Sequence, residues 1–343
     1  MKKFSKLLSL VLAVAMLAAL AACGGNGNGG APATGTPETG APAASGLDGK
    51  TIGYVTINSA SPWSGVIDTK LGEYVEAEGG TYRNLDAQTD VAKVAEYCQQ
   101  MIDAAVDALV IFGGDPAANA TIAKDAAAAG IPVFMAALNV AEEGQEYVQS
   151  VVGPDQEQMT YDIGQYIINE NGADAGCLTV VISGVPFLDD YIQRDAGFKR
   201  AMEETNYDVK EFQYAYSSRT DAKAFMENYI QTYGKDIDVV MGMDDDLTMG
   251  AIQAIDEAIA AGTIDEGQIK VYSLTGQNDA IQAVKDGKLQ MTVMNRADAI
   301  AAGLVEDIKE YLANGKVAEY NHHTELTTID STNVDEWIGK GEF

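Results

Sequence analysis

Three consecutive acids, Asp244, Asp245 and Asp246, follow the apolar run Val239 to Met243 and precede a segment of helical spacing that starts at Leu247. Asp115 stands in the same place after Ala108-Leu-Val-Ile-Phe112, ahead of an alanine-rich segment. A carboxylate between a strand and a helix can cap the helix, and it can accept hydrogen bonds from a ligand lying beyond the strand end. Covalent and metal chemistry have less to work with. The two histidines, His322 and His323, are neighbours in an expected loop, and no nucleophile sits in a recognisable elbow. Nothing has metal-ligand spacing, and no cofactor is indicated. Glycoside hydrolysis needs two facing carboxylates, and 51 acids leave that class open.

Those acids need elements to hold them. Apolar runs predict strands at Thr51 to Ile57, Thr81 to Ala87, Ala108 to Phe112, Val133 to Met135 and Tyr147 to Val152. Between them lie helical stripes, such as Val91, Val94, Cys98, Met101 and Ile102. From Gln156 the cycle restarts, with strands at Leu178 to Ser183, Val209 to Tyr216, the run before Asp244, Lys270 to Thr275 and Met291 to Asn295. A helix covers about 188–203, a long one runs from Ala297 to beyond Leu312, and Thr324 to Ile329 is a last strand. Apolar strands alternating with helices predict an α/β fold of two doubly wound, Rossmann-like parallel-sheet lobes with a cleft between them.

The chain has 343 residues, suited to two domains, and 47% apolar content, enough for a core in each. A net charge of −29 argues against nucleic acid or an anionic lipid surface as partner. Lys2 and Lys3 precede an apolar run from Leu7 to Ala22 that ends in Leu20-Ala-Ala-Cys23, the order of a secretory signal. That tetrapeptide resembles the bacterial lipoprotein box, which makes residues 1–22 a signal peptide and Cys23 the lipidated first residue. Residues 23–47, rich in Gly, Ala, Pro, Thr and Ser, read as a flexible linker. The protein is expected outside the plasma membrane, held by its lipid anchor alone. Cys98 and Cys177 are expected to be buried free thiols.

Over about residues 48–343 the chain resembles the ribose and galactose type of sugar-binding proteins that serve bacterial ABC importers. The residues that carry the resemblance are Ser61-Pro62-Trp63, Gly130-Ile-Pro-Val133, Arg194-Asp-Ala-Gly-Phe198, the Asp244 turn with Gly250-Ala251, and Thr275-Gly276 followed by Asp286-Gly-Lys-Leu289. It implies the periplasmic-binding-protein-like I fold, with a hinge of three crossings near 154, 296 and 325. The first lobe would be 48–154 plus 296–324, and the second 155–295 plus 325–343.

The resemblance also implies the site: Ser61, Trp63, Ser64, Asn139, Arg194, Asp244, Thr275, Gln277 and Asn295. Trp63 would lay its ring on a sugar, and Arg194 would fork onto hydroxyls, or else form an exposed pair with Asp190. Asp245 and Asp246 would be helix caps. Many members carry Asp-Arg after the fourth strand. This chain has Ala137-Leu138-Asn139, with Asn139 left to do part of that work. The implied function is a monomeric, non-enzymatic lipoprotein that delivers a monosaccharide or related polyol to ABC permease subunits. The alternative is a ligand-sensing subunit for a membrane receptor or histidine kinase.

Overall fold

The computed structural model describes residues 46–341, apart from Ser61 and Ser217. The expected signal peptide, Cys23 and most of the linker lie outside the described residues.

The first half of the chain alternates as its pattern requires. Strand β1 (Thr51–Thr56) leads to α1 (Pro62–Ala77), β2 (Thr81–Asp86), α2 (Val91–Asp103), β3 (Ala108–Phe112), α3 (Pro116–Ala128), β4 (Val133–Ala136) and β5 (Val148–Gly153). The second half runs α4 (Gln156–Asn171), β6 (Leu178–Ser183), α5 (Asp189–Met202), β7 (Asp208–Val209), β8 (Gln213–Tyr214), α6 (Arg219–Tyr233), β9 (Ile237–Gly242) and α7 (Asp245–Ala260). It ends with β10 (Lys270–Tyr272), α8 (Asn278–Lys285), β11 (Met291–Asn295), α9 (Ala297–Asn314), β12 (Asn321–His323) and β13 (Leu326–Asp330).

Two sheets result. One has the order β12-β5-β4-β3-β1-β2, with every pair parallel. The other has the order β13-β11-β10-β9-β6-β7, with β8 also on β6 and with β13 antiparallel. Both are covered on two faces, as apolar parallel strands demand. On the first sheet, α1 and α9 bury Ile67, Leu71, Ile300 and Leu304 on one side, while α2 and α3 bury Val94, Cys98, Ala123 and Ala126 on the other. On the second, α6, α7 and α8 bury Met226, Leu247 and Ile281, and α4 and α5 bury Ile163 and Phe198 opposite them. The chain passes between the sheets after β5, around β11 and α9, and between β12 and β13.

Several elements depart from the sequence reading. The strand expected over Val209 to Tyr216 is two short pieces, which pair separately with the two ends of β6. His322 and His323 are not in a loop: they form β12 on the edge of the first sheet, where His322 Nδ1 lies 2.9 Å from Asp307 Oδ1 of α9. Cys98 and Cys177 are buried free thiols.

Candidate functional site

The carboxyl ends of strands from both sheets border a cavity of about 610 Å³, within the usual size of small-ligand sites. Trp63, Phe112, Ala137 and Leu138 line it from the first sheet's side. Gln156, Leu188, Asp190, Tyr191, Arg194, Asp244, Asp246, Thr275, Gln277, Asn278, Asp279 and Asn295 complete the wall.

Trp63 sits in the first turn of α1, its ring centroid 5.7 Å from that of Phe112 at the end of β3. Its Nε1 donates to the carbonyl oxygen of Asn295 at 3.1 Å, tying the two sheets' sides together at a crossing. On the second side, α5 presents Asp190, Tyr191 and Arg194 within one turn, the spacing that places them on neighbouring faces. The phenol end of the Tyr191 ring packs against Gly184, just after β6. A Cβ there would come within 2.1 Å of the ring, so glycine is required by the close approach.

Arg194 is buried and is held by its own lobe: Nε donates to Gln156 Oε1 at 2.8 Å, Nη1 to Met243 O at 2.8 Å, and Asp190 lies 4.0 Å from Nη2. Its guanidinium also stands 5.1 Å over the Tyr191 ring. The exposed-pair alternative is therefore excluded, since this arginine is not exposed. Tyr191 donates its hydroxyl to Asp244 at 2.5 Å, and Asp244 caps α7 by accepting from Leu247 N at 2.8 Å. Burial raises the Asp244 carboxyl above its usual range, against the opposing pull of these two donors and of Arg194.

Below this layer lies a group the sequence reading assigned differently. Asp245 was expected to be a helix cap. Asp244 performs the capping, and Asp245 is fully buried beneath the β10–α8 turn. Its carboxylate accepts from Ser273 Oγ at 2.5 Å, Thr292 Oγ1 at 2.9 Å and Gln277 N at 2.7 Å. Burial pushes it up to about 7, the hydrogen bonds notwithstanding. These bonds fix a turn that would otherwise be costly: Thr275 has φ +115°, unusual for a β-branched residue, and Gly276 has φ +76° with no room for a Cβ beside Met294. Ala137, on the opposite wall, is also left-handed at φ +61°. Asp246, the other expected cap, pairs with Arg219 at 2.6 Å, and Arg219 reaches Asp279 at 2.9 Å.

Of the site residues expected from sequence, Trp63, Arg194, Asp244, Thr275, Gln277 and Asn295 come together on the cavity wall. Ser61 lies outside the described residues. Ser64 departs from expectation: it is buried and donates to the Asn58 carbonyl, because its helical position points it into the lobe. Asn139 departs too. Its Oδ1 accepts from Tyr320 OH and Val140 N, both at 2.8 Å, which turns it to a smaller cavity shared with His323 and Asp155. Phe112, Gln156, Leu188, Asp190 and Tyr191 were missed. Tyr191 and Asp190 could have been found from their helical spacing to Arg194, and Phe112 from its place at a strand end. Among the described residues no group of three or more His, Cys, Asp or Glu could hold a metal.

A fructose import binding protein of Bifidobacterium longum is 26% identical over 341 residues, covering 98% of this chain and 97% of that one. A ribose import binding protein of Bacillus subtilis is 29% identical over 68% of this chain and 72% of its own. Among solved structures, an ABC transporter solute binding protein from Bacillus halodurans with bound myo-inositol superposes with a TM-score of 0.74 at 23% identity, over 85% of this chain and 98% of that one, and so shares the fold. Residues 52–316 match the periplasmic binding protein domain, and the chain belongs to that family of extracytoplasmic solute-binding proteins, which are not enzymes.

Proposed function

We propose that this protein is the lipid-anchored receptor of a bacterial ABC importer. It captures a monosaccharide or related polyol between its lobes and delivers it to the permease as a monomer. The observation that carries this reading is the cavity itself, lined from two separate sheets and by Asn295 at a crossing between them. An aromatic floor with convergent carboxylates and amides suits a molecule that has both C–H faces and hydroxyls. The relatives named for fructose and ribose import support the same class.

The lobes are 48–154 plus 296–324 and 155–295 plus 325–343. Cys23 is the anchor, and residues 23–47 are the leash. Replacing Cys23 with Ser is expected to release the protein into the medium with ligand affinity unchanged; retention of the variant on the membrane through residues 7–22 argues against the lipoprotein.

A thermal-unfolding screen against sugars and polyols tests the function. A ligand at 100 times its Kd stabilises by roughly 2.7 kcal/mol. A panel in which no sugar or polyol raises the transition sinks the proposal.

A further inference from the structure

The two walls of the cavity differ in what they can offer a ligand. Trp63, Phe112, Ala137 and Leu138 form the first sheet's wall. Among the described residues, three hydrogen-bond donors at its surface are spent: Trp63 Nε1 on Asn295 O at 3.1 Å, Ala137 N on Val152 O at 2.8 Å and Leu138 N on Ala136 O at 2.7 Å. The nearby polar side chains, Ser64 and Asn139, face Asn58 and Tyr320 instead. A hydroxyl pressed against this wall would lose its water without finding a free donor among these groups.

The opposite wall is rich in acceptors. Asp190, Asp244, Asp246 and Asp279 line it, against one lining arginine, whose Nε and Nη1 are already bonded within the protein. Two lining residues hold buried oxygens with no hydrogen-bond partner, Asp190 Oδ1 and Asn295 Oδ1. Asn295 is 2% exposed. Both orphaned atoms are acceptors, so the group that satisfies them must donate. An anionic ligand would bring more acceptors into an excess of carboxylates.

Building on the sugar-site reading above, we infer that the ligand is a neutral sugar with a hydroxyl-free face or arm, of which a deoxyhexose is the simplest form. Its hydroxyls donate to Asp190, Asn295 and their neighbours. Its stripped side lies on Trp63, Phe112 and Leu138. Specificity then comes from the first sheet's wall rejecting a hydroxyl, and Leu138 is the residue that sets it.

Titration calorimetry on the full chain with matched pairs tests this: D-fucose against D-galactose, L-fucose against L-galactose, and L-rhamnose against L-mannose, with D-galacturonic acid as the anion. At least one deoxy sugar is expected to bind tenfold or more tightly than its hydroxylated parent, the order of discrimination an apolar pocket achieves per small group. The uronic acid is expected to give no heat of binding. Leu138→Gln, which places a hydrogen-bonding group on the apolar wall, is expected to shrink the preference below threefold. Parents that bind as tightly as the deoxy sugars, or a uronic acid that binds tightest, overturn the inference and leave the sugar receptor standing. Six neutral sugars without measurable heat would overturn this inference as well, and would leave the receptor reading to the wider sugar and polyol screen.

Discussion

Two strand-to-helix turns, Phe112 to Pro116 and Gly242 to Asp246, are written in nearly the same way and end up in different chemistry. Each closes an apolar strand with an aspartate that caps the next helix: Asp115 accepts from Ala118 N at 2.8 Å, and Asp244 accepts from Leu247 N at 2.8 Å. Asp115 stays in water, and its turn is closed by Asn119, which donates to Gly113 O at 2.8 Å. Asp244 is roofed by Tyr191 and joins the cavity. The local code specifies the cap in both places. What covers the turn specifies the site, and that cover is helix α5.

The largest test of the comparison is to loosen the cover. Arg194→Ala removes donors from Gln156 Oε1 and the Met243 carbonyl, and it takes the counter-charge from Asp190 and Asp244. Breaking a buried charged network on one side is expected to cost about 2–4 kcal/mol of stability. Chemical denaturation checks this. A loss under about 0.5 kcal/mol would place this arginine with surface residues.

The next effect is a pH dependence held by the second turn. The folded protein raises Asp245 to about 7 from an ordinary value of 3.8, so it keeps a proton that the unfolded chain releases. Its contribution to stability is therefore greatest below pH 4 and is lost as pH rises through 7. At 1.36 kcal/mol per unit, the loss between pH 5 and pH 7 is about 2 kcal/mol. Asp245→Asn, which carries no proton to lose, is expected to flatten that slope. Denaturation of both proteins across this range reads it, and equal slopes would remove Asp245 as the source.

Much of this molecule was legible in its sequence, for reasons that also explain what was not. The strands and the stripe Val94, Cys98, Met101 follow from periodicity, which is a property of neighbours in the chain. The placing of Asp244 on the cavity follows from a strand end in a doubly wound fold, and that of Trp63 and Thr275 from the resemblance to sugar-binding proteins. Ser64 and Asn139 could not be placed that way, because their direction depends on Asn58 and on Tyr320, which lies 181 residues away. Asp245 read as a second cap, since nothing adjacent to it shows that Ser273 and Thr292 converge beneath it. The edge strand β12 has a sequence, Asn-His-His, that carries no strand signal. It pairs because β5 offers it an edge.

The smallest expected effect isolates the first turn. Asp115→Ala removes one helix cap at a solvated position, and such a loss is typically about 1 kcal/mol. The Ala117 and Ala118 N–H groups at the start of α3, where Pro116 has none to offer, can turn to water, which holds the cost down. Ligand affinity is expected to stay within twofold, because Asp115 is not on the cavity wall while Phe112, three residues before it, is. Asp244→Ala removes the same cap at the second turn, but it also strips the acceptor from Tyr191 OH inside the wall. It is therefore expected to lose both stability and affinity. If calorimetry with a bound sugar shows the two alanine variants equally impaired in binding, the turns are alike in use as well as in wording, and the cover supplied by α5 is not what separates them.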